Sequence, residues 1–341
     1  MKYLSRYVVG PGLMALFLYW AFRGIDAGAL WAAARAVSPG WMAAMAATTV
    51  LTLVLRGWRW IVLLRPVAPT VTVLDATLSL GVCYSANIAL PRAGEAARAL
   101  SLKWRRGASL SAVLGTVVVE RALDLLCLAS LLALSLAVVP ERVAALFPWE
   151  TEVLGTTFTL SLAEAKLCVL AACVAVAAAM AGAYAFGDRG IRAVETVTGR
   201  LSEGLASRLG DMLRSFVQGL VALRSASAVA EVVVSSILLN LAYILIIHQS
   251  YVAFGFDGPP WSLGMAEALV IMAVSSIGVV IPAPAGTGPY HYFYGYSLHV
   301  LFAVPLAAAM ACATVVHALA NLTYLAVGLP AFLQGRRARR E

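Results

Sequence analysis

The 341-residue sequence predicts an all-α fold: a polytopic membrane helix bundle of about six full spans plus two re-entrant hairpins, arranged as inverted repeats. Three observations predict it. Hydrophobic residues make up 62% of the chain and charged residues 12%, a balance outside the soluble globular range. Uncharged apolar runs recur along the whole length, several of them near the roughly 20 residues a helix needs to cross a bilayer core. Arg and Lys gather in clusters at the ends of these runs. The runs do not alternate as the strands of a transmembrane β-barrel would. The net charge of +8 is therefore read as a topology signal, and no nucleic-acid partner is expected.

The first element is an apolar stretch from Tyr7 to Phe22, preceded by Lys2 and Arg6 and followed by Ala27, Gly28 and Ala29. It has the outline of a signal peptide. An uncleaved first span fits better, because the later charges balance when the N-terminus is held inside. Further basic clusters are Arg56, Arg59 and Arg65; Arg92, Arg98, Lys103, Arg105 and Arg106; and the tail from Arg336 to Arg340. A diffuse set runs from Arg189 to Arg224, whereas Glu141 to Glu164 is acidic and is expected to face outward. Full spans then fall at Tyr7 to Phe22, Trp41 to Leu64, Ala108 to Val139, Lys166 to Gly187, Val229 to Phe254 and Val304 to Leu333. Both termini lie in the cytoplasm, and the chain belongs in the inner (cytoplasmic) membrane.

Two apolar segments resist a simple crossing. Val71 to Leu90 has basic clusters on both sides, and Leu263 to His299 is interrupted by Pro and Gly. Each is read as a re-entrant hairpin, which must line protein or water. Between the halves, Val194, Val197, Leu201, Leu205, Leu209, Met212, Phe216 and Leu220 step by three or four residues, so residues 188–224 form an amphipathic cytoplasmic connector. A soluble catalytic domain does not fit in so short a segment. The chain is one domain, with a first repeat at 41–139 and a second at 229–333. Glu120 and Asp124 correspond in this register to His317 and Asn321.

Glu120, Arg121 and Asp124 interrupt an apolar run near its middle, where each isolated charge costs at least about 2.5 kcal/mol. They are paired or wet, as a structural salt bridge to the hairpin or as a polar seat in a cavity. In the first hairpin, Pro91 and Gly94 break the helix beside Asn87, Arg92, Glu95 and Arg98. Amides of a helix resuming there favour an anion, and Arg92 and Arg98 add fork-shaped donors suited to phosphate. Arg56 and Arg59, with Trp58 and Trp60, read as interfacial anchors. The second hairpin contributes Gly286, Gly288 and His291. No nucleophile with its base can be assembled, and the four histidines lack metal-ligand spacing. Cys83, Cys127, Cys168, Cys173 and Cys312 all lie in apolar segments and read as small buried hydrophobes, so neither metal, cofactor nor disulfide is expected.

The segment LPRAGEAARALSLKWRRGASLSAVLGTVVVERALDLL, Leu90 to Leu126, resembles the lysylphosphatidylglycerol synthase transmembrane family of flippase-like proteins. Pro91, Gly94, Glu95 and Arg98 match its Pro-x-x-Gly-Glu-x-x-Arg element, and Glu120, Arg121 and Asp124 its Glu-Arg-x-x-Asp element. RGWRWIVLL and IPAPAGTG agree in order, so the resemblance covers about residues 10 to 333. It implies movement of a polar lipid between leaflets. Longer members add a soluble domain that transfers an amino acid to phosphatidylglycerol, and with the sequence ending at Glu341 that activity is not expected. Where many members have an acidic residue after the second glycine-rich turn, this chain has His291.

The candidate substrate site is thus Asn87, Arg92, Glu95, Arg98, Glu120, Arg121, Asp124, Gly286, Gly288, His291 and Asn321, receiving a lipid with an anionic or glycosylated headgroup. Rival readings are a membrane enzyme acting on lipid-linked sugars, with Glu95, Glu120 or Asp124 as acid or base, and a partner of lipid-synthesis enzymes. The topology is testable by cysteine labelling from each side of the membrane. Position 150 should react from outside and positions within 188–224 from the cytoplasm; labelling of position 150 only from the cytoplasm overturns the six-span scheme.

Overall fold

The computed structural model describes residues 2–90, 93–138, 149–153, 156–199, 217 and 219–338. Among them are eleven α-helices: α1 (Lys2–Phe22), α2 (Ala27–Arg35), α3 (Pro39–Leu64), α4 (Val73–Ala89), α5 (Gly94–Arg106), α6 (Leu110–Val138), α7 (Leu162–Gly199), α8 (Ala226–Phe254), α9 (Met265–Val280), α10 (Pro289–Phe302) and α11 (Leu306–Ala338). Each expected span coincides with one of the longer helices. By length and composition, Pro39–Leu64, Ala226–Phe254 and Leu306–Arg337 can cross a membrane, and the pair Val9–Phe22 and Ala27–Arg35, bent by 89°, adds a fourth candidate. The protein is a multi-pass membrane protein. Leu51, Val54, Val234, Ile237, Leu241, Leu322 and Leu329 point outward from these helices, an arrangement suited to lipid rather than water.

Local chemistry sets the ends of the elements. Asp26 starts α2 by accepting the Ala29 amide at 2.7 Å. Thr72 and Asp75 close a capping box at the start of α4. Gly107 and Gly255, at φ +69° and +72°, end α5 and α8 in the left-handed conformation that glycine adopts without cost.

α3 and α8 pack antiparallel, with polar rungs along the seam. Gln249 donates to Thr48 at 3.1 Å, Arg56 to Tyr243 at 3.4 Å, Arg59 to Ser236 at 3.5 Å, and Arg65 grips Glu231 with two bonds of 2.7 Å. α4 and α5 fold back on each other as a helical hairpin. Its rungs are Arg106 to Asp75 at 2.7 Å, Ser79 to Ser101 at 2.9 Å, and the Gly94 amide to Asn87 at 2.8 Å. A Cβ on Gly94 would collide with the Cys83 carbonyl, so glycine is required at this crossing. α9 and α10 form the second hairpin, where Gly278 lies against the Pro289 carbonyl.

The hairpins enter from opposite ends of the bundle. The open end of the first, Asp75 and Arg106, lies with Arg65 and Glu231, and there Arg105 donates to the Ala331 carbonyl of α11. The open end of the second lies at the other end of α8, where the Tyr251 hydroxyl donates to the Glu267 carbonyl and Trp261 donates to the Ala303 carbonyl. The turn at Pro284–Gly286, the tip of the second hairpin, touches α4 of the first. α1 packs across α10, its Phe17 against Tyr292 and its backbone close on Gly288.

Two expectations need correction. Trp149–Val153 and Thr156–Leu160 pair as an antiparallel β-hairpin, because Thr, Val and aromatic residues dominate the stretch. Cys168 is exposed rather than buried, while Cys83 and Cys312 are buried and all five thiols are free. The connector begins as a continuation of α7 beyond a break at Gly187 (φ +43°), and ends at Gly219 and Leu220 packed on α6. Residues 200–216 and 218 of that expected helix lie outside the described residues.

α4 and α11 cross where Gly81 meets Gly328, and a Cβ on Gly328 would overlap the Gly81 carbonyl and the Ser85 hydroxyl. Small residues permit this approach in lipid, where packing rather than hydrophobicity holds helices together. Gly328→Val should therefore cost about 1–3 kcal/mol or prevent folding, seen as a lower thermal midpoint in detergent. Gly182→Ala, with no atom within 4 Å of the new methyl, should leave the midpoint unchanged or raised.

Candidate functional site

Four arginines and three carboxylates converge where α3, α5 and α6 meet. On α3, Arg56 and Arg59 are three residues apart and share a face. On α6, Glu120 and Asp124 are four apart and face them. Arg56 Nε donates to Glu120 Oε1 at 2.9 Å, and Arg98 Nη1 of α5 donates to Glu120 Oε2 at 2.6 Å. Arg59 Nη2 lies 3.7 Å from Glu120 Oε1. Asp124 accepts from Arg56 through one oxygen and from Arg59 through the other. Arg121 turns the opposite way, meeting Glu95 at 3.1 Å and Asp124 at 3.3 Å.

The cluster is sealed at one side and open at the other. The side chains of Arg98 and Glu120 are 0% exposed, whereas Arg121 is 46%, Glu95 29% and Asp124 25% exposed. At the sealed side, the indole of Trp60 lies under the Arg98 guanidinium, 4.7 Å from ring centre to Cζ, and its Nε1 donates to Thr116 at 3.0 Å. Not every donor is used. Arg98 Nε and Nη2, Arg59 Nε and the acceptor Glu95 Oε2 are buried without hydrogen-bond partners.

The structure thus brings together Glu95, Arg98, Glu120, Arg121 and Asp124 of the expected site, while Arg92 lies outside the described residues. Asn87 stands beside them as the clasp of the hairpin tip. Reading Arg56 and Arg59 as interfacial anchors is overturned: they are 7% and 1% exposed and supply the counter-charges of α6. The trio of α6 alone carries one negative charge, but the assembled cluster carries one positive. A signal for this was present. Arg56 and Arg59 lie inside their apolar run rather than beyond it, and a net negative trio at membrane depth requires cations.

The second-hairpin residues form a separate, uncharged group. His291 Nδ1 accepts from the Gly288 amide at 3.4 Å, Thr287 meets His317 Nε2 at 3.3 Å, and the His291 and His317 rings stand 4.9 Å apart beside Tyr290. Gly288 adopts φ +94° with the Met14 carbonyl and Phe17 pressed on it. Gly286 is buried in the tip. Asn321, one turn beyond His317, is half-buried and makes no side-chain hydrogen bond among the described residues. Among the described residues, no group of three or more His, Cys, Asp or Glu side chains is arranged to hold a metal ion.

The family profile described as the lysylphosphatidylglycerol synthase transmembrane region matches residues 7–328. Among curated proteins, the chain is similar to the glycosyltransferase AglD of Haloferax volcanii, 25% identical over 309 residues. That similarity covers 86% of this chain and 49% of the relative, so the chain spans about half the length of the curated protein it matches. No solved structure matches.

Removing one partner of a buried ion pair strands the other charge. Glu120→Gln should cost about 3–5 kcal/mol, because Arg56 and Arg98 both lose their carboxylate. Glu95→Gln, whose partner Arg121 is half exposed, should cost less than about 1 kcal/mol. Thermal unfolding of the two variants in detergent checks the order.

Proposed function

The chain belongs to the lysylphosphatidylglycerol synthase transmembrane-region family, and on that premise we propose that it translocates a lipid with an anionic headgroup between bilayer leaflets. The observation that carries this reading is Arg98. Its guanidinium is fully buried, anchored by Nη1 to Glu120, and presents the Nε and Nη2 edge without a partner. Two parallel N–H groups on one edge are the geometry that holds a phosphate or carboxylate in bidentate fashion. The surplus positive charge of the cluster favours the same ligand. The headgroup approaches from the Arg121 side, where the cluster is accessible, and reaches Arg98 at its sealed side.

The architecture in this reading is six spans and two re-entrant hairpins in inverted repeats, with both termini in the cytoplasm of an inner membrane. Support comes from the packing. α3 with α4, α4 with α5, α5 with α6, and α3 with α6 all touch, and so do their counterparts α8 with α9, α9 with α10, α10 with α11, and α8 with α11. Two of the cross-contacts, α4 with α11 and α6 with α9, follow the same exchange, whereas those of α11 with α3 and α5 have no counterpart of similar extent. Hairpins entering from opposite ends are what an axis in the membrane plane requires. Arg65, Arg105 and Arg106 gather at one end, which supports placing that end in the cytoplasm. Membrane lipids are the partners of this reading, and lipid-synthesis enzymes that supply them are a further class.

The similarity to a glycosyltransferase favours a second reading, a membrane enzyme acting on lipid-linked sugars. Glu120 and Asp124 suit it poorly, because both oxygens of each already accept from guanidinium groups. Glu95 alone keeps a free oxygen, which leaves one acid or base without a partner.

Reconstitution into liposomes with leaflet-resolved fluorescent lipids tests the translocase reading. Wild type should move phosphatidylglycerol faster than phosphatidylcholine. Arg98→Lys keeps a cation for Glu120 but removes the two-donor edge, so folded yield should hold while the rate for the anionic lipid falls about tenfold or more. Equal rates for protein-containing and empty liposomes with every lipid would overturn it.

A further inference from the structure

The histidine pair of the second hairpin takes no part in the charged centre, yet it has the geometry of a site for one proton. We propose that His291 and His317 share a single proton and that its arrival frees the tip of the second hairpin, so that lipid movement is coupled to a proton gradient. The coupling, though not the proton site, rests on the translocase reading above. His291 Nδ1 accepts from the Gly288 amide at 3.4 Å, so the ring is neutral and carries its hydrogen on Nε2. A proton bound at Nδ1 takes the lone pair that holds this amide. A charged His291 and the cap at the start of α10 therefore exclude each other. Gly288 is where the tip is pinned. It holds φ +94° with the Met14 carbonyl and Phe17 of α1 pressed on it, and the turn just before it, Pro284–Gly286, touches α4 of the first hairpin.

His317 completes the site. Its ring stands 4.9 Å from that of His291, and its Nε2 meets the hydroxyl of Thr287, the residue before Gly288, at 3.3 Å. Both imidazoles thus hold consecutive residues of one turn. Two positive charges at this separation repel, so the pair titrates as a unit with one proton between them. The groups that face it are neutral. Phe22 of α1 lies against His291, and Tyr290 of α10 against His317. Beyond Tyr290, Tyr324 of α11 stacks on Tyr84 of α4 and leads through Tyr243 of α8 to Arg56. α9 carries only Glu267, at its opposite end. Among the described residues no charged side chain acts on either ring, so an imidazolium in this packing is uncompensated and favours a packing in which the tip has moved. Access is through His317, which is half-buried. One turn further along, Asn321 is half-buried without a side-chain hydrogen bond among the described residues, and an amide at that depth requires water. Histidines beside water inside a membrane bundle are suited to carry protons.

The full chain is tested in detergent and in liposomes. In detergent, nitrogen NMR of isotope-labelled histidine from about pH 8 to about pH 4 should show one proton shared by the two rings, with the titration of each altered in the Gln variant of the other. In liposomes, an imposed gradient of about two pH units should make wild type accumulate fluorescent phosphatidylglycerol in one leaflet about tenfold or more beyond empty liposomes under the same gradient. His291→Gln and His317→Gln should lose that accumulation while still equilibrating the lipid faster than empty liposomes. Equilibration without accumulation by wild type overturns the coupling and leaves the translocase reading standing. Accumulation that persists in both Gln variants overturns the assignment to this pair. Failure of wild type to move the lipid at all removes the translocase reading and the coupling with it. Rings that titrate independently, or not at all, overturn the proton site whether or not any lipid moves.

Discussion

Glu120 has no contact with solvent and accepts from Arg56 and Arg98 at 2.9 and 2.6 Å, and the arrangement of the first half of the molecule follows from that burial. A carboxylate in a low-dielectric interior is tolerable only when paired and hydrogen-bonded, so α6 cannot take its place without α3 and α5 presenting their guanidinium groups. The requirement fixes the rotation of α3, because Arg56 and Arg59 face α6 only when Leu51 and Val54 face outward. It also fixes the depth of the hairpin, since Arg98 reaches Glu120 only with the first turn of α5 at that level. Tyr243 and Ser236 extend the network to α8, so the charged centre touches the partner half as well.

The second half is held by other forces. Its core is apolar and aromatic, with Tyr251, Phe256, Tyr294, Leu298 and Phe302 buried together. Apart from Glu267, which caps α9 at the Gly264 amide, its internal polar contacts are neutral: Ser250 with Tyr294 at 2.7 Å, Cys312 with Ser250 at 3.3 Å, and the His291, His317 and Thr287 group. Under the repeat reading, His317 occupies the position of Glu120, and the charges of the first half have no counterpart. One half would then supply the headgroup contact, while the other supplies a close-packed frame against which α1 docks at Gly288.

Much of the fold was legible because bilayer-scale apolar runs and helix breakers are strong signals. The runs at Trp41, Ala108, Val229 and Val304 became α3, α6, α8 and α11, and Pro and Gly marked both hairpins. Legibility ended where neighbours decide the outcome. Arg56 and Arg59 obey the same local pattern as interfacial anchors beside tryptophan, and only the facing carboxylates of α6 show that they are internal. In the β-hairpin at Trp149–Leu160 the acidic charge, which signals only an outward-facing stretch, overlies a β-branched and aromatic composition that signals strands. The stacking of Trp60 on Arg98 left no sequence signal, since an indole near a span end reads equally well as an anchor.

The same correction changes how the basic residues divide. Arg56, Arg59 and Arg98 are internal, so they drop out of the topology count, and the proposed orientation rests on Arg65, Arg105 and Arg106. Arg65 and Arg106 are 51% and 41% exposed, and Arg105 bonds the Ala331 carbonyl. Two populations of arginine therefore do different work in one chain. Under the proposed orientation the outer set orients the helices, and its loss is tolerable because water replaces its partners. The inner set cannot exchange its partners for water, and Arg98, left with an edge unpaired, remains in place only because Glu120 and the Trp60 ring compensate the rest of its charge. In the translocase reading, that residual deficit is what draws an anionic headgroup to membrane depth, where hydration no longer competes.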